Sequence, residues 1–124
     1  MVRKGKSLMK LFGKIIILVI FIIVILYYAS AYIMPSITII NNSGALIEQA
    51  EVTLPNNRLD FGDIANKKQN TLHYSLTQND GDYRYQFEYA NNKTLKGSCG
   101  YVTNNEMHKR VIITIVQNNH VICR

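Results

Sequence analysis

The feature that most constrains this chain is a run without charged side chains at residues 15–33, IIILVIFIIVILYYASAYI. In a helix rising about 1.5 Å per residue this run spans roughly 28 Å, close to the roughly 30 Å hydrocarbon thickness of a bilayer. A helix that is apolar on all sides cannot be covered by a domain of about 90 residues, which excludes a buried core helix. The run predicts a membrane segment at residues 15–34, between a basic flank (1–14) and a separate domain (35–124).

The positive charge of the chain is concentrated in that flank. The formal net charge is +6, yet residues 35–124 hold nine basic against eight acidic side chains, a net of +1. The remaining five basic residues precede the apolar run: Arg3, Lys4, Lys6, Lys10 and Lys14. Positive residues beside a first apolar segment keep that end in the cytoplasm. We therefore predict a cytoplasmic N terminus and an extracytoplasmic domain, and no nucleic-acid partner, because no basic face remains to neutralise phosphates.

The apolar run fits either a permanent membrane anchor or a cleavable signal peptide. As a permanent anchor it places Tyr27, Tyr28 and Tyr32 near the outer interface, where amphipathic rings are favoured. As a cleavable signal it offers Ala29-Ser30-Ala31, which fits the small-x-small cleavage pattern. The apolar run continues past the usual core of a signal peptide, so we favour the anchor and keep cleavage after Ala31 as the alternative.

Residues 35–124 carry the pattern of short strands and turns. Asparagine pairs recur along them and indicate turns, since Asn tolerates positive φ. Residues 82–89 alternate aromatic and polar side chains, as a half-buried strand does, and residues 111–116 (VIITIV) suit a central strand. Gly62 indicates a β-bulge, because the alternation of inward-facing side chains along this strand is interrupted before Ile64. We predict an all-β fold, a single immunoglobulin-like antiparallel β-sandwich of seven or eight strands.

The two cysteines, Cys99 and Cys123, both fall in the extracytoplasmic part, where disulfides form. Cys99 shares a strand face with Leu95 and Tyr101, which points it inward. If residues 111–116 lie between the two cysteine-bearing strands, the Cα atoms would be about 9–10 Å apart, too far for a bond. A bridge requires Cys123 in the facing sheet or displaced. Both a disulfide and two separate thiols therefore stay open.

Candidate chemistry is sparse. His73, His108 and His120 are too scattered for a metal-ligand spacing, and the segment GSCGY at 97–101 contains no nucleophile signature. Residues 79–82 (NDGD) begin like a calcium loop, but the rest of the ligand set is missing. We expect no catalytic residue, metal site, cofactor or small-molecule substrate, and no enzyme.

Two features offer a surface for a protein partner. The tyrosine-rich face of residues 82–89 suits packing between two sheets or contact with a partner. The C-terminal segment, if it is an edge strand, could accept a partner by strand addition. The candidate partner-surface residues are Tyr83, Tyr85, Tyr89, His120 and Ile122.

Several short motifs occur together: the basic leader with one apolar segment, ITIINNSG, CGYVT and a β-branched hairpin at the C terminus. This combination resembles small Gram-negative envelope proteins with an N-terminal membrane segment and one immunoglobulin-like sandwich. The resemblance implies an envelope location and a sandwich fold, and it identifies no catalytic residue in this chain. Type IV pilins and pseudopilins are a nearby comparison, but the chain lacks the glutamate that follows their processing site.

We therefore expect a single-pass inner-membrane protein with its C-terminal domain in the periplasm. In this interpretation the domain binds another envelope protein or a secreted factor. One alternative is a secreted or periplasmic inhibitor or immunity-type protein, released by cleavage after Ala31. A second alternative is a structural subunit of a pilus-like surface assembly.

Overall fold

The computed structural model describes residues 2–124, with side chains described from Gly5 onward. It divides into an N-terminal helix, α1 (Val2–Ile33), and a β unit of residues 34–124. Within α1, the stretch Gly5–Ile33 contains a window of mean hydropathy 2.8, which suits a membrane span or a signal sequence. The helix ends just before Pro35, because the proline ring clashes with the preceding residue when that residue has helical backbone angles. Lys6, Lys10 and Lys14 lie in α1, whereas the side chains of Arg3 and Lys4 fall outside the described residues.

The β unit contains eight strands, within the number predicted. They are β1 (Ser36–Asn42), β2 (Ile47–Thr53), β3 (Arg58–Ile64), β4 (Gln69–His73), β5 (Gly81–Tyr89), β6 (Thr94–Val102), β7 (Arg110–Val116) and β8 (His120–Cys123). Sheet A has the order β4-β1-β7-β8, and sheet B has the order β3-β2-β5-β6. Two four-stranded sheets are compatible with a β-sandwich.

The pairing of β1 corrects the expectation of a wholly antiparallel fold. On one side β1 runs antiparallel to β4, but on the other it runs parallel to β7, with Ile37 opposite Val111 and Ile39 opposite Ile113. These strands are far apart in sequence, so the chain between them is long enough for a parallel crossover. The two strand orders also differ from the ABED and CFG sheets of immunoglobulin constant domains. The immunoglobulin-like topology is therefore not confirmed.

The inner faces of the two sheets form one hydrophobic core. Sheet A contributes alternate β-branched residues, and sheet B contributes aromatic and aliphatic ones. The alternation predicted for residues 82–89 is confirmed, since the odd-numbered side chains of β5 turn inward. The side chains buried to 1% exposure or less include Ile37, Ile39, Ala50, Val52, Tyr83, Phe87, Ile113 and Ile115.

Two glycines place bulges in sheet B. Gly62 has φ +70°, and the pairing of β3 with β2 passes from Ala50–Gly62 to Glu51–Asp60, which confirms the predicted bulge. Gly100 has φ +59° and is skipped between the pairs Tyr83–Cys99 and Asp82–Tyr101. The extra residue turns Tyr101 to the outer face, where it is 56% exposed. The prediction that Tyr101 shares the inner face of Cys99 is therefore wrong.

The asparagine pairs have two structural roles. Asn92, Asn105, Asn118 and Asn119 have positive φ in turns, as predicted. Asn41 instead lies inside β1 and is fully buried, and its amide donates hydrogen bonds of 2.8 Å to the carbonyls of Ala45 and Ile64. The turn therefore follows Asn42, and the Asn41 side chain supports it from the core.

Candidate functional site

The five candidate partner-surface residues divide into two groups. Tyr83 and Tyr89 are 1% and 8% exposed, and Tyr85 is half-buried and stacks on Phe87 with ring centroids 5.2 Å apart. Tyr83 and Tyr89 therefore belong to the hydrophobic core, and the partly buried Tyr85 packs against that core. His120 and Ile122 are exposed on β8. The structure does not bring the two groups together on one surface.

Strand β8 forms an open edge of sheet A. Arg124 and Ile112 exchange both backbone hydrogen bonds, at 2.9 and 3.0 Å. In an antiparallel ladder such pairs alternate, so Ile122 also faces β7, whereas Val121 and Cys123 direct their N–H and C=O groups away from it. Along residues 34–124, all of which are described, no strand pairs with this side of β8. These backbone groups are available to an added strand.

A disulfide holds this edge in place. Cys99 on β6 and Cys123 on β8 are bonded, with their Cα atoms 5.9 Å apart. The arrangement that would forbid the bond, with both cysteine strands in one sheet, is absent from residues 34–124, because β6 ends sheet B and β8 ends sheet A. A strand of four residues with one neighbour has few contacts of its own. The covalent link therefore fixes β8 before any partner arrives, which lowers the entropy cost of binding.

The outer face of sheet A beside β8 is uncharged at its centre. Ile122 lies opposite Thr114 on β7, and Thr114 lies opposite Ile40 on β1. Ile112 and Ile122 are 37% and 38% exposed. The central side chains of this face are Thr38, Ile40, Thr71, Ile112, Thr114, Val116 and Ile122. They form an uncharged surface of isoleucine, valine and threonine side chains, and depletion of charge is typical of the centre of protein interfaces.

A small recess lies where β8 ends. Its volume is about 230 Å³, and its lining includes the disulfide, Tyr101 and three basic residues, Lys109, Arg110 and Arg124. We call it the basic recess. Lys109 is held firmly: its ammonium forms an ion pair with Glu106 at 2.8 Å, donates to the carbonyl of Tyr101 at 2.6 Å, and lies 5.1 Å from the ring centroid of Tyr83.

The groups around Lys109 have fixed protonation states near neutral pH. Tyr74 and Tyr83 share a hydrogen bond of 2.8 Å between their hydroxyls, and burial raises the pKa of both, so they stay neutral. Burial alone would raise the pKa of Glu106, but hydrogen bonds from Lys109 and from the Thr103 amide outweigh it and lower the pKa below its ordinary value. Glu106 is therefore a carboxylate, and it offsets one positive charge of the recess.

The residues noted for metal or catalytic chemistry remain apart. Among the described residues, no group of three or more His, Cys, Asp or Glu side chains is placed to hold a metal ion. Both cysteines are joined in the disulfide.

No protein family and no curated protein matches the sequence. Among solved structures, the chain is similar to the NMR structure of a protein from Eubacterium rectale. The two share 13% sequence identity with a TM-score of 0.49, over 73% of this chain and 86% of the other. A likeness of this extent carries no inference about fold or function.

Sequence reasoning missed the basic recess, because Cys99, Lys109 and Arg124 are distant along the chain. One signal in the sequence points to it. Residues 93–124 carry five basic side chains and one acidic side chain, whereas residues 35–92 carry four basic and seven acidic. The net of +1 for the whole domain conceals this division.

Proposed function

We propose that this chain is a non-enzymatic, single-pass membrane protein of the bacterial envelope, whose C-terminal β unit binds a protein partner. In this proposal α1 is an uncleaved anchor with its basic end in the cytoplasm, and the β unit lies on the periplasmic side. The partner is an envelope protein or a secreted factor that adds an extended strand to β8.

The observation that carries the proposal is the open edge of β8 beside an uncharged face. Edge strands that are not meant to pair are commonly protected by being very short or by charged side chains, bulges or proline. Strand β8 (HVIC) is short, but it has no charged side chain and no proline, and Ile122 next to the exposed backbone groups is apolar. The neighbouring face adds Ile112, Thr114 and Ile40, which supply apolar area that a partner would cover.

A position-specific crosslinking experiment in cells tests the proposal. A photo-crosslinking amino acid replaces Ile122 in the full chain, and the matched control places it at Glu88, which is exposed on the outer face of sheet B. The proposal predicts one discrete protein adduct from position 122 that is absent from position 88. Equal adducts from both positions, or none from position 122, would contradict it. A ladder of adducts between copies of this chain would instead favour a subunit of a surface assembly.

A further inference from the structure

The charge of the β unit is strongly uneven in space. Five of its nine basic residues occur in residues 93–124, which form β6, β7, β8 and their connections, and the single acid there is Glu106. Strand β6 ends sheet B and strand β8 ends sheet A, and the disulfide joins these two edges. The positive charge is therefore gathered on the side of the domain that carries the open edge.

The basic recess lies directly at the end of that edge. Cys123 and Arg124, which end β8 and follow it, both line the recess, together with Lys109, Arg110 and the exposed ring of Tyr101. Three basic side chains and the neighbouring carboxylate of Glu106 leave a net side-chain charge of +2. The contacts of Lys109 with Glu106 and Tyr101 fix its position, so its charge is held at the recess without an ordering cost on binding.

The register of β8 connects its open edge with the basic recess. An added strand that bonds the outward backbone groups of Val121 and Cys123 passes the recess within one or two residues, since a strand rises about 3.3 Å per residue. A side chain of that strand near Cys123 then lies close to Arg124, Arg110 and Lys109. Carboxylates are the side chains that such a cluster favours, because charge-assisted hydrogen bonds to Arg are short, strong and often bidentate.

We propose that the strand added to β8 is an acidic, extended protein segment, with an Asp or Glu side chain seated in the basic recess. This inference rests on the proposed function and specifies the chemistry of its partner. A second copy of this chain is a poor occupant, because its own β8 would bring another Arg124 to an edge that is already positive.

The test uses the full-length chain in cells, with the photo-crosslinking amino acid at position 122. The adduct is digested, and mass spectrometry identifies the segment attached to β8. We expect a segment with at least two Asp or Glu residues and a negative net charge. Arg124→Glu should lower the adduct yield about tenfold or more, because it places like charges together. The matched control Lys68→Glu makes the same charge change at an exposed position beside β4, the opposite edge of sheet A, and should leave the yield unchanged.

The outcomes separate this inference from the proposed function. A discrete adduct to a neutral or basic segment, insensitive to Arg124→Glu, overturns the acidic-segment proposal and leaves the binding module intact. An adduct with the mass of an anionic lipid, or to β8 of a second copy, also overturns it. Absence of any discrete adduct at position 122 overturns the proposed function itself. Intact-protein abundance and the disulfide state of Arg124→Glu are measured alongside, so that misfolding is distinguished from lost binding.

Discussion

The outer faces of the two sheets differ in their chemistry. Sheet B carries charged side chains with polar partners: Arg58 forms an ion pair with Glu51 at 2.6 Å, and the Gln49 amide donates a hydrogen bond to Asp60 at 3.2 Å. The centre of sheet A carries threonine, isoleucine and valine instead, and its polar contact is a 2.8 Å hydrogen bond between the hydroxyls of Thr38 and Thr71. Both faces belong to the same domain.

The difference indicates which face is built for solvent and which for a partner. Charged side chains on sheet B are well hydrated and gain little from being covered, since burial would remove their solvation. Isoleucine and valine side chains on sheet A gain free energy when covered, at about 25 cal/mol per Å² of apolar area. We therefore assign binding to sheet A and its open edge, and solubility to sheet B.

The largest expected effect concerns the link between the two sheets. Replacing both Cys99 and Cys123 by Ala should lower the free energy of unfolding by roughly 3–4 kcal/mol, because the disulfide closes a loop that restricts the unfolded chain. Denaturation of the full chain in detergent, followed by tyrosine fluorescence, measures this loss. A loss below about 1 kcal/mol would show that β8 does not depend on the bond for its place in sheet A.

A smaller loss is expected inside sheet B. Gly97 lies opposite Tyr85 on β5, and a Cβ atom at position 97 would collide with the Tyr85 hydroxyl. Gly97→Ala should therefore cost about 1–3 kcal/mol, the usual range for overpacking. Ser98→Ala, on the outward face of the same strand, is the matched control and should be close to neutral. Equal stability of the two variants would mean that the Tyr85 ring moves aside freely.

A substitution on the outer face of sheet A should separate binding from folding. Ile112→Glu changes an exposed side chain, so the free energy of unfolding should change by less than about 1 kcal/mol. The crosslinked adduct from position 122 should nevertheless be lost, because a charge then occupies the uncharged surface. Thr94→Glu, on β6 of sheet B, should leave the adduct unchanged. Retention of the adduct in Ile112→Glu would remove this face from the binding surface.

The smallest effect on stability and crosslinking is expected from a substitution on the charged outer face of sheet B. Arg58 is 68% exposed and its partner Glu51 is 14% exposed, so water and salt screen the pair from one side. Arg58→Ala should lower the denaturation midpoint only slightly and leave the adduct from position 122 unchanged within experimental error. A clear loss of either quantity would show that sheet B is more than a solvated surface.

Local patterns predicted much of this fold. The alternation in residues 82–89 specified the inward face of β5, the slip of phase at Gly62 specified a bulge, and the β-branched run at 111–116 specified an inner strand. Each of these depends on neighbours in sequence, where side-chain period and turn chemistry decide the structure.

Features that depend on distant residues were missed or mistaken. The parallel pairing of β1 with β7 joins strands about 70 residues apart, and no local pattern encodes it. The bulge at Gly100 reversed the direction of Tyr101, because one inserted residue shifts every later side chain to the other face. Tyrosines such as those of β5 are common both in binding surfaces and in hydrophobic cores. The local sequence does not distinguish these two environments, whereas the position of sheet A does.

The backbone amide of Val121 offers the most direct measurement of strand addition at β8. Val121→Pro removes an outward N–H without removing a hydrogen bond to β7, and His120 before it already has the extended geometry (φ −87°, ψ 132°) that precedes proline. The yield of the adduct from position 122 should fall about fivefold or more, the equivalent of one lost backbone hydrogen bond of about 1 kcal/mol. Gln69→Pro makes the matched change at the outward amide of β4 and should leave the yield unchanged. Equal yields from Val121→Pro and the unchanged chain would contradict strand addition at β8.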